Sequence, residues 1–103
     1  MTSYLKDISK YKILDSDEVT RLICEAQKGD DVAREQVIKS NLRFVVTIAK
    51  QFQNRGIPLM DLISSGNEGL MKAIDKFDPE RGVTFLSYAV WWIRQSIYNS
   101  IYW

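Results

Sequence analysis

The chain has 103 residues, of which 46% are apolar and 26% charged, a composition typical of one ordinary globular domain. It has no histidine and one cysteine, Cys24, so we expect no metal site, no cofactor, no internal disulfide and no Ser-His or Cys-His catalysis. No apolar run approaches the ~18 residues of a membrane span, and MTSYLKDISK lacks an apolar signal core. We therefore expect a protein of the reducing cytoplasm without a membrane partner.

Charged residues are grouped along the chain, although the net charge is only +1. Residues 36–60 carry four bases and no acid, whereas residues 61–80 carry five acids and two bases. After Glu80 only Arg81 and Arg94 are charged. These blocks indicate either two kinds of interaction surface or ordinary solvated helix faces, and charge alone leaves both open.

Two helices are predicted in the first half of the chain. Residues 15–18, DSDE, read as a helix start with a capping box between Asp15 and Glu18, and Gly29 is expected to end that helix. Asp30 then begins one long helix, which the stretch NRGIP, residues 54–58, ends. Apolar residues stepping by four and three predict its buried stripe: Ile38, Leu42, Val45, Ala49 and Phe52.

The second half of the chain also reads as helical. Residues 58–77, PLMDLISSGNEGLMKAIDKF, are expected to form two short helices bent at residues 65–67. The turn DPERG, residues 78–82, follows, and Thr84 is expected to cap a last helix that starts at Phe85. No segment alternates over a long run with the period of a strand, so the prediction is an all-α bundle of five or six helices.

The last helix contains SYAVWWIRQSIYNSIYW, residues 87–103, with three Trp, three Tyr and no acid. Helical spacing predicts a core-facing ridge of Leu86, Val90, Ile93 and Ile97. It also predicts a second ridge of Tyr88, Trp92, Gln95, Asn99 and Tyr102, flanked by Trp91 and Tyr98. An exposed aromatic ridge suits stacking on unpaired bases, and a buried one would belong to the core or to a partner interface. The spacing leaves both alternatives open.

The stretch DLISSGNEGLMKA, residues 61–73, mixes polar residues with Leu, Ile and Met. This mixture suits an adaptable protein-docking site, or else a helical corner with a solvated outer edge. The carboxylates of Asp75, Asp78 and Glu80 are the candidates for paired acid–base chemistry. They surround a turn without another catalytic partner, so we predict that the protein is not an enzyme.

Three motifs follow one another in order and spacing: NLRFVVTIAKQF, DLISSGNEGLMKAIDKFDPERG and FLSYAVWWIRQSI. Together they resemble the promoter-recognising helical domain of primary-type, sigma-70 family sigma factors of bacterial RNA polymerase. Residues 4–30 resemble the helical segment that precedes it in the same family. The resemblance implies one compact sigma domain over residues 1–103, with residues 1–29 as an N-terminal helical segment. Residues 30–103 would then hold the polymerase-docking and promoter-recognition helices.

The resemblance implies RNA polymerase core and promoter DNA as partners. The residues expected to dock on the clamp helices of the largest subunit are Asp61, Leu62, Ser64, Ser65, Asn67 and Met71. Tyr88 is expected to stack on a flipped adenine of the non-template strand in the minus-ten element. Trp91 and Trp92 would wedge the upstream edge of the melted region, and Gln95 would read the last paired base step.

Five more residues are implied in DNA contact. Arg81, with Phe77 and Thr84 nearby, would line the adenine pocket or hold the backbone. Asn41 and Phe44 would receive a second flipped base.

This sequence also departs from the family pattern. The departures lie in the docking stretch at Ser64 and Ser65, beside the adenine pocket at Val83, and near the duplex edge at Tyr98 and Asn99. We expect the first departure to affect the strength of docking, the second to weaken capture of the strand, and the third to change the sequence preference just upstream.

Three functions are compatible with the sequence. The first is a sigma domain that docks on polymerase core and melts the minus-ten element. The second is a sigma mimic that occupies the clamp without productive initiation. The third, a stand-alone duplex-binding factor, is weaker because no helix carries a dense basic and amide recognition face. Self-association through the exposed aromatics is a further expectation.

Overall fold

Five α-helices dominate the structure, a computed structural model that describes residues 16–102. They are α1 (Ser16–Gln27), α2 (Asp31–Ser40), α3 (Leu42–Lys50), α4 (Leu59–Lys76) and α5 (Phe85–Tyr102), and a 3-10 turn, Pro79–Arg81, precedes α5. No strand occurs between residues 16 and 102, which confirms the all-α prediction. None of these helices is both long and apolar enough to cross a membrane.

The boundary between α1 and α2 has the predicted chemistry. Gly29 follows α1 with φ of 104°, a left-handed conformation that costs glycine little. Asp30 caps α2, because its Oδ1 accepts a 3.1 Å hydrogen bond from the backbone N–H of Ala33. Both of these boundaries are confirmed. Asp15, the other half of the predicted capping box, lies outside the described residues.

The prediction of one long helix after Asp30 is wrong, because the chain breaks at Asn41 into α2 and α3. Asn41 has φ of −111° and ψ of 10°, and its backbone N–H donates to Ile38 O instead of continuing the α-helical ladder. Its side-chain Nδ2 donates to Val37 O at 2.9 Å. In a continuous α-helix, that carbonyl would accept from the backbone N–H of Asn41 itself. The asparagine side chain therefore competes with the backbone and ends the helix.

The predicted bend at residues 65–67 is also wrong, since α4 runs uninterrupted from Leu59 to Lys76. Its glycines lie where neighbouring helices approach closely. A Cβ on Gly66 would lie 2.7 Å from Val45 Cγ1, and one on Gly69 would overlap the Trp92 carbonyl oxygen and lie 2.8 Å from Ile93 Cα. The glycines therefore allow α3 and α5 to pack against α4, and do not break it. Gly69 lies near Ile93 and Gly66 near Ile97, so α4 and α5 are antiparallel.

The core-facing ridge of α5 differs from the predicted one. Ile93 and Ile97 are fully buried as expected, but Leu86 is 47% exposed. The buried face instead runs through Phe85, Ala89, Ile93 and Ile97. Phe85 enters the core in the first turn and meets the Phe77 ring edge-on at 5.3 Å between centroids, which sets the rotational phase of the helix. Leu86, one residue later, consequently points outward.

Side-chain bonds fasten the first two helices to the C-terminal end of α4. Gln27 Nε2 donates to Ile74 O at 2.9 Å and to Phe77 O at 2.8 Å. Arg34 forms an ion pair with Asp75 and donates from Nη2 to Ala26 O at 3.1 Å. The Gln27 bonds satisfy carbonyls left open at the C-terminal end of α4, and the Arg34 contacts link α2 to both α4 and α1.

Candidate nucleic-acid interface

The outer face of α5 presents a continuous stripe of four residues. Trp91, Gln95, Tyr98 and Tyr102 are spaced by four, three and four, and all four are exposed. The three aromatics are 58%, 52% and 54% exposed respectively. The stripe overlaps the predicted second ridge at Gln95 and Tyr102. Asn99 of that ridge is exposed as well, whereas Tyr88 and Trp92 are half-buried, and the predicted flanking residues Trp91 and Tyr98 are the exposed aromatics.

Tyr88 and Trp92 are half-buried along one edge of this stripe. The Tyr88 hydroxyl donates to Lys76 O at 3.3 Å, and its ring lies 5.6 Å from the Phe77 ring. Trp92 meets Trp91 at right angles at 5.0 Å, while Lys76 Nζ lies 5.9 Å from the centroid of a Trp92 ring. These contacts hold the two rings in fixed orientations, so their free edges form a preorganised aromatic surface.

A concavity of about 250 Å³ lies at the N-terminal end of the stripe. Its walls are Val83, Ser87, Tyr88 and Trp91. Sequence reasoning missed Ser87, although it lies four residues before Trp91, on the same helical face. The concavity brings Tyr88 and Trp91 together, and Val83, which is smaller than an aromatic residue, completes its wall.

A larger cavity of about 420 Å³ lies on the other side of Val83. It collects three of the predicted contact residues, Asn41, Phe77 and Thr84, with Val19 and Thr20 of α1 forming part of its wall. The contribution of α1 gave no signal in the sequence, because residues 19 and 41 approach only through tertiary packing. Asn41 is largely buried and donates from Nδ2 to Val37 O, so its amide is already engaged.

Two other predicted DNA residues lie apart from both cavities. Phe44 is half-buried against the core and belongs to neither cavity wall. Arg81 is exposed on the 3-10 turn, with its Nε 3.7 Å from Asp78 Oδ2. An exposed pair of this kind contributes little to folding, so the guanidinium can exchange its partner for an anion in solution.

The predicted docking residues are divided between two faces of α4. Asp61, Ser64 and Met71 are exposed, and Glu68 lies between them at the same helical spacing. Ser65 and Asn67 are half-buried, and Asn67 Oδ1 is buried with no hydrogen-bond partner in the described structure. Leu62 is fully buried in the core. The prediction that it contacts the polymerase at the surface is therefore wrong, and Leu62 is a packing residue. The exposed docking stripe is therefore Asp61, Ser64, Glu68 and Met71.

Two of the three carboxylates weighed for acid–base chemistry, those of Asp75 and Asp78, have separate structural partners. Asp75 pairs with Arg34, and Asp78 Oδ1 accepts a 3.0 Å bond from the Glu80 backbone N–H. Within residues 16–102, no group of three His, Cys, Asp or Glu side chains is placed to hold a metal.

Comparison with known proteins identifies the family. The family model described as Sigma-70 region 2 matches residues 37–102, more than half of the chain. The chain belongs to the sigma-70 family. It is 48% identical over 98 residues to the RNA polymerase sigma factor RpoS of Coxiella burnetii, covering 95% of this chain and 28% of that protein. It is 46% identical over 101 residues to the RNA polymerase sigma factor SigA of Lactococcus lactis subsp. cremoris, covering 95% of this chain and 28% of the relative.

This sigma-70 region 2 chain thus spans just over a quarter of the length of these curated relatives. All of the predicted site residues, from Asn41 to Gln95, lie within the matched segment. Val19 and Thr20, which complete the larger cavity, precede it. The cavity is accordingly built by region 2 together with the helix before it.

Proposed function

We propose that this sigma-70 region 2 chain docks on RNA polymerase core and recognises and melts the promoter minus-ten element in transcription initiation. The observation that carries the proposal is the exposed aromatic stripe of α5 beside a concavity walled by Tyr88 and Trp91. Large exposed aromatics are a liability unless a partner covers them. In this role the protein is a non-enzymatic factor acting in the cytoplasm, where it meets the polymerase.

The aromatic surface supports capture of an unpaired strand. Taking a base out of a duplex costs a few kcal/mol, and stacking on an aromatic ring returns ~1–3 kcal/mol per base. Tyr88 is oriented by Phe77 and Lys76, so its stacking face is preorganised for a flipped adenine. Trp91 and Trp92 would hold the upstream edge of the opened region, and Gln95 would contact the last paired step.

Further strand contacts are proposed around the α5 N-terminus. Arg81 would bind the strand backbone, because its guanidinium is exposed and weakly paired. Phe77, Thr84 and Asn41 would line the cavity for a second unpaired base. Phe44, which is half-buried against the core, is proposed as a further contact to that base. The larger cavity is mostly apolar in lining, which suits the face of a base better than a phosphate.

Docking is proposed for the exposed stripe of α4. Asp61 and Glu68 supply charge, and Met71, which is exposed, supplies an adaptable apolar contact. Ser65 and Asn67 would contribute at the edge of the stripe. The unpaired Asn67 Oδ1 is a polar atom that a polymerase donor could satisfy after a small side-chain rotation. The clamp helices of the largest subunit are the proposed partner.

The strand-binding proposal is tested with a non-template minus-ten oligonucleotide and bacterial polymerase core. Tyr88→Ala should weaken strand binding by ~1–3 kcal/mol. Because Tyr88 is half-buried and contacts Phe77, the Tyr88→Ala variant should also have a lower melting temperature than the wild type. Trp91→Ala separates the loss of strand binding from the loss of stability, since Trp91 is mostly exposed and its removal should leave the fold intact. Wild-type strand affinity in both variants, with core binding intact, would contradict strand capture and favour a sigma mimic.

The docking proposal is tested separately by core binding. Asp61→Ala and Asn67→Ala should each weaken binding to core by ~1–3 kcal/mol while the domain stays folded. Glu35→Ala, which removes an exposed acid from α2, is the charge-matched control and should bind like wild type. Equal binding by Asp61→Ala and the control would argue against this face.

A further inference from the structure

The spacing of the outer α5 stripe reads the same in both directions along the helix. Trp91, Gln95, Tyr98 and Tyr102 follow one another at intervals of four, three and four. Trp91 and Tyr102 are therefore equally far from a midpoint between positions 96 and 97, and so are Gln95 and Tyr98. When two such stripes pack antiparallel about a twofold axis at this midpoint, Trp91 meets Tyr102 of the second copy, and Gln95 meets Tyr98. The stripe is thus complementary to itself.

The rings of the stripe are held in place by contacts within the chain. Tyr98 and Tyr102 pack on each other at 4.5 Å between centroids, tilted by 41°. Arg55, in the connection between α3 and α4, donates from Nη1 to the Tyr102 hydroxyl at 2.8 Å. Trp91 meets Trp92 at right angles at 5.0 Å. Because the rings are already oriented, a partner that covers them immobilises few further side-chain rotations.

The charge of the stripe favours a neutral partner. Its four side chains are uncharged, and no acid follows Glu80 in the sequence. Asn99 lies on one flank, where its Oδ1 accepts from Gln95 Nε2 at 3.5 Å. In the antiparallel arrangement Asn99 and its copy lie about 7.5 Å apart along the helix axis, on the same flank of the interface. A neutral side chain at this position avoids the repulsion that two like charges would cause. Tyr98 and Asn99 are also the α5 positions at which this sequence departs from the family pattern.

Two arginines border the stripe, and both are compatible with a second copy. Arg94 donates from Nη2 to Gln51 Oε1 at 2.7 Å, which holds its guanidinium towards α3. At physiological salt the repulsion between the two exposed Arg94 groups is strongly screened. Arg55, seated on Tyr102, would lie beside Trp91 of the second copy, where the face of an indole ring attracts a guanidinium.

The exposed area of the stripe is sufficient for a weak dimer. Trp91, Tyr98 and Tyr102 are each more than half exposed. A large aromatic side chain buries ~150–250 Å² when fully covered, so the exposed parts of the three rings supply roughly 250–400 Å² per copy. With Gln95 and the flanking side chains, two copies together would bury close to ~1,000 Å², the lower bound for a specific interface. We therefore expect a reversible dimer with a Kd on the order of 10–100 µM.

We propose that the stripe is the docking site for a second copy of this chain, packed antiparallel through Trp91, Gln95, Tyr98 and Tyr102, and that this dimer hides the stripe from DNA. The self-association goes beyond the proposed function and does not depend on it. The masking rests on the proposed function, because Trp91 and Gln95 are the stripe residues proposed to contact the opened region. The dimer is then an inactive state, which dilution or an excess of strand dissociates.

The self-association is tested by sedimentation velocity of the 103-residue chain between about 5 and 500 µM, a range that brackets this Kd. The wild type should convert from monomer to dimer across the range. Tyr98→Ser removes a central ring from both copies and should weaken the dimer at least about tenfold. Val32→Ser removes an exposed apolar side chain from α2 and should dimerise like wild type. Far-UV circular dichroism checks that both variants are folded. A monomer at every concentration, or a dimer that Tyr98→Ser leaves unchanged, overturns the proposal.

Charges placed at position 99 test the antiparallel arrangement. Asn99→Lys and Asn99→Glu should each weaken self-association about three- to tenfold, because like charges then meet across the twofold axis. An equimolar mixture of the two variants should dimerise at least as tightly as wild type. Gln36→Lys adds the same charge to the exposed face of α2 and should have no effect. If the mixture associates no better than either variant alone, the two copies do not meet at Asn99, and the arrangement is wrong.

The masking is tested by adding an A/T-rich single strand to the chain at a concentration at which it is dimeric. Strand binding should return the chain to monomers. Raising the NaCl concentration should weaken the strand complex steeply and leave the dimer unchanged or tighter, because only the strand carries phosphates. Dimers that stay intact with strand bound to them overturn the masking. No strand binding even by the dilute monomer contradicts the proposed function, whereas sedimentation still decides whether the dimer exists.

Discussion

The inner and outer faces of α5 carry opposite kinds of side chain. The inner face, through Phe85, Ala89, Ile93 and Ile97, is buried against α4. There the α4 glycines bring the two backbones so close that a methyl group at Gly69 would overlap Trp92 O. The outer face exposes more than half of Trp91, Tyr98 and Tyr102.

The difference separates stability from recognition within one helix. On the inner face, Ala89, Ile93 and Ile97 follow Phe85 and supply dispersion contacts and apolar burial. Trp91, Tyr98 and Tyr102 stay exposed on the outer face, although burying a large apolar side chain would stabilise the fold by about 1.5–3 kcal/mol. Neighbouring residues can differ in exposure, as the exposed Trp91 and the half-buried Trp92 do, because one helical step turns the side chain by about 100°.

The largest expected effect comes from removing a buried side chain of the inner face. Ile93→Ala should lower the free energy of unfolding by about 2–5 kcal/mol, since Ile93 is fully buried and its loss leaves a cavity. Leu86→Ala, at the position that sequence spacing placed on the same ridge, should change it by only about 0.5 kcal/mol. Urea unfolding of the two variants checks the assignment. Equal losses would mean that α5 has the phase expected from the sequence.

A methyl group added at the helix–helix seam should have the next largest effect. Gly69→Ala should destabilise the fold by about 2–3 kcal/mol, because the new carbon meets α5 backbone that cannot rotate away. Gly66→Ala meets the Val45 side chain and should cost less, about 1 kcal/mol. Thermal or urea unfolding measures both. Stabilisation at Gly69 by the higher helix propensity of alanine would contradict the close approach.

The outer face is tested by the two neighbouring tryptophans. Trp91→Ala should weaken single-strand binding by ~1–3 kcal/mol and leave unfolding nearly unchanged, because the ring is exposed. Trp92→Ala should lower stability more, since that ring packs against Tyr88 and Trp91. Strand affinity and unfolding are measured on each purified variant. If Trp91→Ala proves the more destabilising, the outer face is not free for a partner.

The smallest expected effect concerns Thr84, the residue that caps the N-terminus of α5. Thr84 Oγ1 accepts a 3.2 Å bond from the Ser87 backbone N–H. Thr84→Ala should therefore cost about 1 kcal/mol of stability, and Thr84→Ser, which keeps the oxygen, should restore most of it. Thermal unfolding of the pair is the measurement. Identical losses in both variants would assign the effect to the methyl group in the cavity and not to the cap.

Local chemistry was readable from the sequence wherever neighbouring residues decide the structure. Gly29 and Asp30 separate α1 from α2, the DPERG turn precedes α5, and Thr84 caps it, because each depends on a bond or φ value within a few residues. The motifs also identified the family, since they occur in register over most of the chain. The roles carried over to individual site residues stay predictions, because the fold places the side chains but no partner is present to show contact.

Tertiary packing decided the rest. Gly66 and Gly69 continue α4, although glycine reads as a helix breaker in isolation. Whether glycine breaks a helix or permits close packing depends on the neighbour that it meets, and that neighbour is distant in sequence. The rotation of α5 has the same origin, because Phe77 and α4 select which residues are buried. The amino-acid sequence alone therefore determined that α5 is an aromatic helix, and the packing of α4 and Phe77 against it determined which aromatics face solvent.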